Sequence, residues 1–306
     1  MNILYAGTPH ASAKILDNLA AVPNISIKGV ITKPDKPNKR GKKLHESKVS
    51  EVARKLNLPI FKPESLNQDD FVKNLTSIDI DILVVVAYGK IIPNWLINSC
   101  KILSLNVHFS ILPKYRGASP IQSVILNGEN KTGITIIKLN ENLDEGDIIE
   151  KLDCNIASNE NKIELEKNLI NQASKLLPKT LEKIYQGKHT LAPQNNKDAT
   201  YCKKINKEDS LIDSNHTSKL IYNKFRAFIE WPGVFFIHKN TKIKIHKLEI
   251  FEGDNIEWGD KKIILNKEYM LFKTADVPIV ITHLQFPNKK IISSKDAFNS
   301  YSKFFA

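Results

Sequence analysis

The run Ile82-Leu83-Val84-Val85-Val86 constrains this chain more than any other stretch. It opens on the alternating IDID and then becomes continuously apolar, the pattern of a parallel strand covered by helices on both faces. A chain containing such a strand is an α/β protein, and the flanking segments agree. MNILYAG reads as a buried first strand, and Thr8-Pro9 starts a helix to about Ala21, with proline favoured in the first turn. ISIKGVIT is a second strand. A helix over about Lys48–Leu56, a short strand in PIFKP and a helix over Asp69–Leu75 follow. Tyr88-Gly89 then turns the chain out of the sheet. The glycine-rich fingerprint of dinucleotide-binding turns is absent, since Gly7 stands alone.

The stretch from Leu103 to Asp147 carries the chemistry. Asn106 and His108 are two residues apart in a run of strand character, so their side chains share a face, and Ser110 continues it. Pro113 is expected to end that strand because it cannot donate to a ladder. Asp144 falls in a glycine-bearing turn between TGITIIKLN and DIIEKLDCNI, which are expected to pair. An amide, an imidazole and a carboxylate thus lie where strands give way to loops, the place where parallel α/β sheets bind ligands. Gly117-Ala118-Ser119-Pro120 opens a helix through Leu126, and a long helical pattern over about Lys162–Gly187 closes a first domain, residues 1–188. HTLAPQNNKDATYC has no periodicity, which makes residues 189–206 a linker. From 207 to 306 the pattern is a helix over about Ser214–Phe228, the Trp231-Pro232-Gly233 turn, and short β-type runs that indicate a small barrel.

Charge is unevenly placed. The net +12 resolves into +5 in Lys33–Lys48, +6 in residues 200–306 and +1 elsewhere. The loop KPDKPNKRGKKLHES is far longer than the roughly 2–6 residues usual in α/β units, and it suits a basic finger that orders on a phosphate backbone. A polyanion touching both basic parts would explain the layout. Only four arginines stand against 41 lysines: Arg40, Arg54, Arg116 and Arg226. A chain so rich in lysine keeps arginine where planar, two-pronged contacts are needed, with chance retention most plausible for Arg54 on a helix face. Cys100, Cys154 and Cys202 are odd in number and far apart, with no metal-like spacing to histidine, as in a cytoplasmic protein with reduced thiols. No apolar run approaches the ~20 residues of a membrane span, and the N-terminus has neither a signal nor a transit character.

Asn-x-His-x-Ser-x-Leu-Pro-x-Tyr-Arg-Gly followed by Leu-Asp-x-Gly-Asp resembles the formyltransferases that use 10-formyltetrahydrofolate. Within that superfamily the chain is most similar to the branch acting on methionyl initiator tRNA, and the resemblance covers essentially its whole length. It implies a Rossmann-like, mostly parallel catalytic domain followed by an OB-like β-barrel that holds tRNA. It also implies Asn106, His108 and Asp144 as the catalytic trio, and Ser110, Ile111, Leu112 and Pro113 as the tetrahydrofolate segment, with Tyr88 beside the pteridine. Arg40, with Lys42 and Lys43, would meet the acceptor arm of the tRNA. No metal is implied, and the chain is expected to work as a monomer in the cytoplasm. One departure is Phe109, where the family usually has a small, turn-compatible residue; a bulky side chain there would be strained at positive φ.

Formyl transfer to an amine passes through a tetrahedral intermediate whose oxygen becomes negative. Asn106 can donate to that oxygen without titrating, His108 can exchange a proton with the leaving nitrogen, and Asp144 would orient the imidazole. The acceptor α-amino group, with a reference pKa of about 7.7–8, needs little activation. Sugar-nucleotide N-formyltransferases share this trio, but the basic loop and tail favour a tRNA. A glycinamide ribonucleotide formyltransferase would lack the second domain. A non-catalytic RNA-binding protein would leave the three polar residues unexplained.

Overall fold

The computed structural model describes residues 1–37, 44–253 and 256–306. It divides into two compact units: Met1–Pro120 with Lys131–Asn155 and Glu166–Lys203, and Ile121–Asn130 with Ile156–Leu165 and Lys204–Ala306.

In the first unit β1 (Asn2–Gly7) leads through Pro9 into α1 (His10–Ala20), and β2 (Ser26–Ile31) follows. The ends of the long basic loop pair as two short antiparallel strands, β3 (Lys36–Pro37) and β4 (Leu44–His45). Then come α2 (Lys48–Lys55), β5 (Ile60–Phe61), α3 (Asp69–Thr76), β6 (Ile82–Val86), the short α4 (Asn94–Ile97) and β7 (Leu103–His108). A two-residue strand β8 (Arg116–Gly117) precedes α5 (Pro120–Leu126), which from Ile121 on belongs to the second unit. β9 (Lys131–Lys138), β10 (Ile148–Asn155) and α6 (Lys162–Tyr185) complete the series.

The sheet order is β10-β9-β7-β6-β1-β2-β5. β5, β2, β1, β6 and β7 are parallel; β9 runs antiparallel to β7, and β10, antiparallel to β9, returns to the direction of the others. β6 is buried at every residue, as its sequence demands. Each such Ile, Leu or Val contributes roughly 1.5–3 kcal/mol relative to exposure. Chain order reverses at β1, with β2 on one side and β6 on the other, so the crevice where α/β proteins bind ligands opens at the carboxyl ends of β1 and β6, next to that of β7.

Two boundaries differ from expectation. β7 stops at His108, short of Ser110 and Pro113, because the next residues find other partners. Thr135 Oγ1 donates to the Ser110 carbonyl at 2.7 Å and accepts from Leu112 N at 3.1 Å, while Ser110 Oγ donates to the Lys114 carbonyl at 2.7 Å. The linker stretch is not a bare connection either. Ala192 and Ile148 bridge antiparallel, and β11 (Tyr201–Cys202) pairs with β8.

Beyond residue 203 the second unit's first α-helix is α7 (Ser218–Ala227), which starts four residues later than Ser214 because Thr217 caps it, accepting from Leu220 N. A six-stranded antiparallel curled sheet follows: β12 (Phe235–His238), β13 (Thr241–Ile250), β14 (Ile263–Leu265), β15 (Met270–Phe272), β16 (Ile279–Gln285) and β17 (Ile291–Ser293). It is a half-barrel rather than a closed one. The last helix, α8 (Ser294–Phe305), has no counterpart in the sequence reading; Ser293 and Asp296 form a reciprocal capping box at its start.

Candidate active site

Asn106 sits near the end of β7, with its side chain half-buried and its backbone in register with Val85 of β6. His108, two residues on, is buried on the same face. Asp144 lies 36 residues further in the β9–β10 connection, in left-handed backbone (φ 54°). That conformation is uncommon for a residue with a Cβ, though aspartate tolerates it better than most.

The three side chains converge. Asn106 Nδ2 donates to Asp144 Oδ1 at 3.1 Å, and the Gly117 amide donates to Asp144 Oδ2 at 2.8 Å. His108 Nδ1 faces that same Oδ2 at 3.6 Å. The other ring nitrogen, Nε2, lies 2.9 Å from the Tyr115 carbonyl. A carbonyl only accepts, so this partner assigns a hydrogen to Nε2. The imidazole is thereby anchored at one nitrogen and presents the other toward the carboxylate. The Asn106 amide keeps a second hydrogen beyond the one given to Asp144.

The loop from Ser110 to Gly117 is clamped rather than loose. Tyr115 N donates to Thr200 Oγ1 at 2.9 Å, Arg116 N to the Thr200 carbonyl at 2.9 Å, and Cys202 Sγ–H to the Tyr115 carbonyl at 3.4 Å. Gly117 has φ 115°, and a Cβ there would collide with the Cys202 carbonyl, so glycine is required.

The tetrahydrofolate segment divides in two. Ser110 and Leu112 are fully buried and fasten the loop, whereas Ile111 and Pro113 are half-buried. Tyr88, just past β6, is buried (1% exposed), and its hydroxyl has no hydrogen-bond partner. Burial pushes that phenol up to about 12. On either side of it Ala87 (φ 48°) and Gly89 (φ 75°) are exposed. Phe109 is buried in ordinary negative-φ backbone, so its bulk causes no strain. Arg40, Lys42 and Lys43 lie outside the described residues.

Arg116 is the largest fully buried side chain. Its guanidinium meets Gln194 Oε1 through Nε at 3.2 Å and Nη2 at 2.9 Å, Asn196 Oδ1 at 2.8 Å, and Glu145 Oε1 at 2.9 Å. It also lies over the Tyr201 ring, 6.0 Å from the centroid. The sequence reading missed Glu145, Gln194, Asn196, Thr200 and Tyr201. The one signal pointing to them was the retention of arginine at 116, which implied planar partners without saying where they lay. No group of three or more metal-ligating side chains is present among the described residues.

A mixed α/β sheet with this trio at its strand ends, and a curled antiparallel unit after it, places the chain in a class. It belongs to the formyl transferase family: the family model described as Formyl transferase matches residues 1–181, and that described as Formyl transferase, C-terminal domain, matches 204–302. Among its relatives is the methionyl-tRNA formyltransferase of Caldicellulosiruptor saccharolyticus, 40% identical across 98% of this chain and 97% of that protein. The methionyl-tRNA formyltransferase of Sulfurihydrogenibium sp. (strain YO3AOP1) is 38% identical, again across 98% and 97%. Of solved structures, the sugar 3N-formyl transferase WlaRD, with dTDP and 5-N-formyl-THF, shares the fold. Its TM-score is 0.66 at 23% identity, over 95% of this chain and 99% of that one.

Proposed function

We propose that this chain transfers the formyl group of 10-formyltetrahydrofolate to the α-amino group of methionyl initiator tRNA, giving the N-formylmethionyl-tRNA used to begin translation. The observation that carries this reading is the convergence of Asn106, His108 and Asp144 in a member of the formyl transferase family. The nearly full-length relatives named for methionyl-tRNA give the acceptor.

The edge formed by β6 and β7 suits a folate. Ala87 and Gly89 leave their main chain exposed for a ring that both donates and accepts hydrogen bonds, and Ile111 and Pro113 offer apolar surface beside it. Tyr88 and Ser110–Pro113 would hold the co-substrate there, Ser110 and Leu112 from beneath. When bound, the folate supplies the formyl group. Asn106 directs its second amide hydrogen to the oxygen on which negative charge builds. His108 exchanges a proton at Nδ1, because Nε2 is engaged by the Tyr115 carbonyl. Asp144 keeps amide and ring in mutual register. The amine arrives partly neutral at pH 7, so no covalent enzyme adduct is needed.

Residues 1–188 form the transferring body. The basic C-terminal half-barrel, together with Arg40, Lys42 and Lys43, takes the tRNA. The chain acts as a monomer in the cytoplasm; none of its described helices is long and apolar enough to cross a membrane.

The test is incubation of purified protein with 10-formyltetrahydrofolate and charged initiator tRNA, scored for N-formylmethionine, with a dTDP-amino sugar as rival acceptor. The tRNA is expected to be formylated and the sugar left unmodified. His108→Ala is expected to lose about 10²–10⁴-fold in turnover while still shifting tRNA on a gel. Formylation of the sugar alone, or normal turnover by His108→Ala, would overturn the assignment.

A further inference from the structure

The turn that carries Asp144 is held from a point 50 residues away in sequence. Gln194 Nε2 donates one hydrogen to the Asp144 carbonyl and the other to the Gly146 carbonyl, both at 2.8 Å. The oxygen of the same amide, Oε1, accepts twice from the Arg116 guanidinium. An amide side chain has two hydrogens and two lone pairs to offer, and all four are used. Its orientation is therefore fixed from both ends, since a flip would set two carbonyls against an oxygen and a guanidinium against hydrogens. Arg116 is itself immobilised: it is fully buried, and Glu145, Asn196 and the Tyr201 hydroxyl take its remaining hydrogens. Gly146 completes the clamp, because a Cβ there would run into the Lys138 carbonyl. The clamp also holds the left-handed backbone at Asp144 (φ 54°). A relaxed turn would draw the carboxylate away from Asn106 Nδ2, Gly117 N and His108 Nδ1 together.

We infer that Gln194 is a positioning residue for formyl transfer: with Arg116 it locks the 144–146 turn, so that the Asp144 carboxylate holds Asn106 and His108 in their working arrangement. The inference rests on the function proposed above. It gives the stretch read as a linker a direct part in the reaction.

The experiment compares Gln194→Ala, Gln194→Glu, Asp144→Asn and the Gln194→Ala/Asp144→Asn double variant in the full chain, well below their melting temperatures. Gln194→Glu keeps acceptors toward Arg116 but puts oxygen where two carbonyls need hydrogens, so it loses at least as much activity as Gln194→Ala. Both should lower kcat by roughly 10–100-fold, the usual cost of losing a support behind a working group, with both KM values within about two-fold of wild type. Because Gln194 acts through Asp144, adding Gln194→Ala to Asp144→Asn should cost less than about three-fold more. Nitrogen NMR of His108, taken without substrates, should show Nδ1 displaced in both Gln194 variants. A lowered melting temperature with kcat intact, or losses that multiply in the double variant, would overturn the inference. Wild-type protein inert toward tRNA would instead sink the proposed reaction, and the NMR comparison would then decide the clamp by itself.

Discussion

Tyr88 buries a hydroxyl that meets no hydrogen-bond partner, and an unsatisfied buried group costs about 1–3 kcal/mol. Tyr88→Phe removes that cost. Its melting temperature is expected to rise by about 2–4 °C, with the KM for 10-formyltetrahydrofolate unchanged, because the proposed function gives the folate the backbone at 87–89 and not the phenol. A several-fold rise in that KM would give the hydroxyl a ligand instead. The arginines show what residue type alone can tell. Arg116 and Arg226 each make several directed contacts, Arg226 to Asn223 Oδ1 and the Glu160 carbonyl. Arg54, for which chance retention was the expectation, pairs through both terminal nitrogens with Glu46. Sequence identified residues needing planar partners but could not name the partners. Each lies at a distance along the chain that no periodicity marks.

Among the elements, α7 shows how one carboxylate supports a helix start. Asp276 Oδ1 accepts from Ser218 N at 2.7 Å and from Thr274 Oγ1 at 3.0 Å. The Ser218 backbone bond, ahead of that from Thr274, holds Asp276 below its ordinary value of 3.8. A depressed carboxylate pKa adds stability above the unfolded value, and this is lost as pH falls through the folded one. Asp276→Asn is therefore expected to melt below wild type at pH 7, with the gap closing as pH drops below about 4. Thermal unfolding across pH checks it, and a gap that persists at pH 2 would contradict it. The strands of the parallel sheet were legible because burial on both faces leaves an unbroken apolar run. α8 was passed over, although Ala297, Phe298, Tyr301, Phe304 and Phe305 recur at helical spacing behind Ser293 and Asp296. That face docks: Tyr301 stacks on Phe286 with centroids 4.1 Å apart, and the Phe304 carbonyl takes a hydrogen bond from His238 Nε2.

Across the whole molecule, positive charge collects in the basic loop and the C-terminal unit while the rest of the chain is nearly neutral. Binding of tRNA should then weaken linearly with the logarithm of salt concentration, and Arg40→Ala should reduce the slope by about 1. A filter-binding titration between low and physiological salt measures this, and one tRNA per chain at saturation is expected of a monomer. A slope indifferent to salt would remove the polyanion from the account.

The sequence by itself determined the parallel core, the later antiparallel unit and the identity of the three polar groups. The first two follow from local patterns, an apolar run and short β-type runs between turns; the three polar groups were marked by their place at strand ends together with the resemblance to the formyltransferases. Only the tertiary structure decided how Asp144 is held, because that rests on Gln194 and Arg116, joined by hydrogen bonds across 50 and 78 residues of chain. Nothing in composition or spacing encodes a contact made that far apart, since it exists only once the sheet has brought both loops to one end.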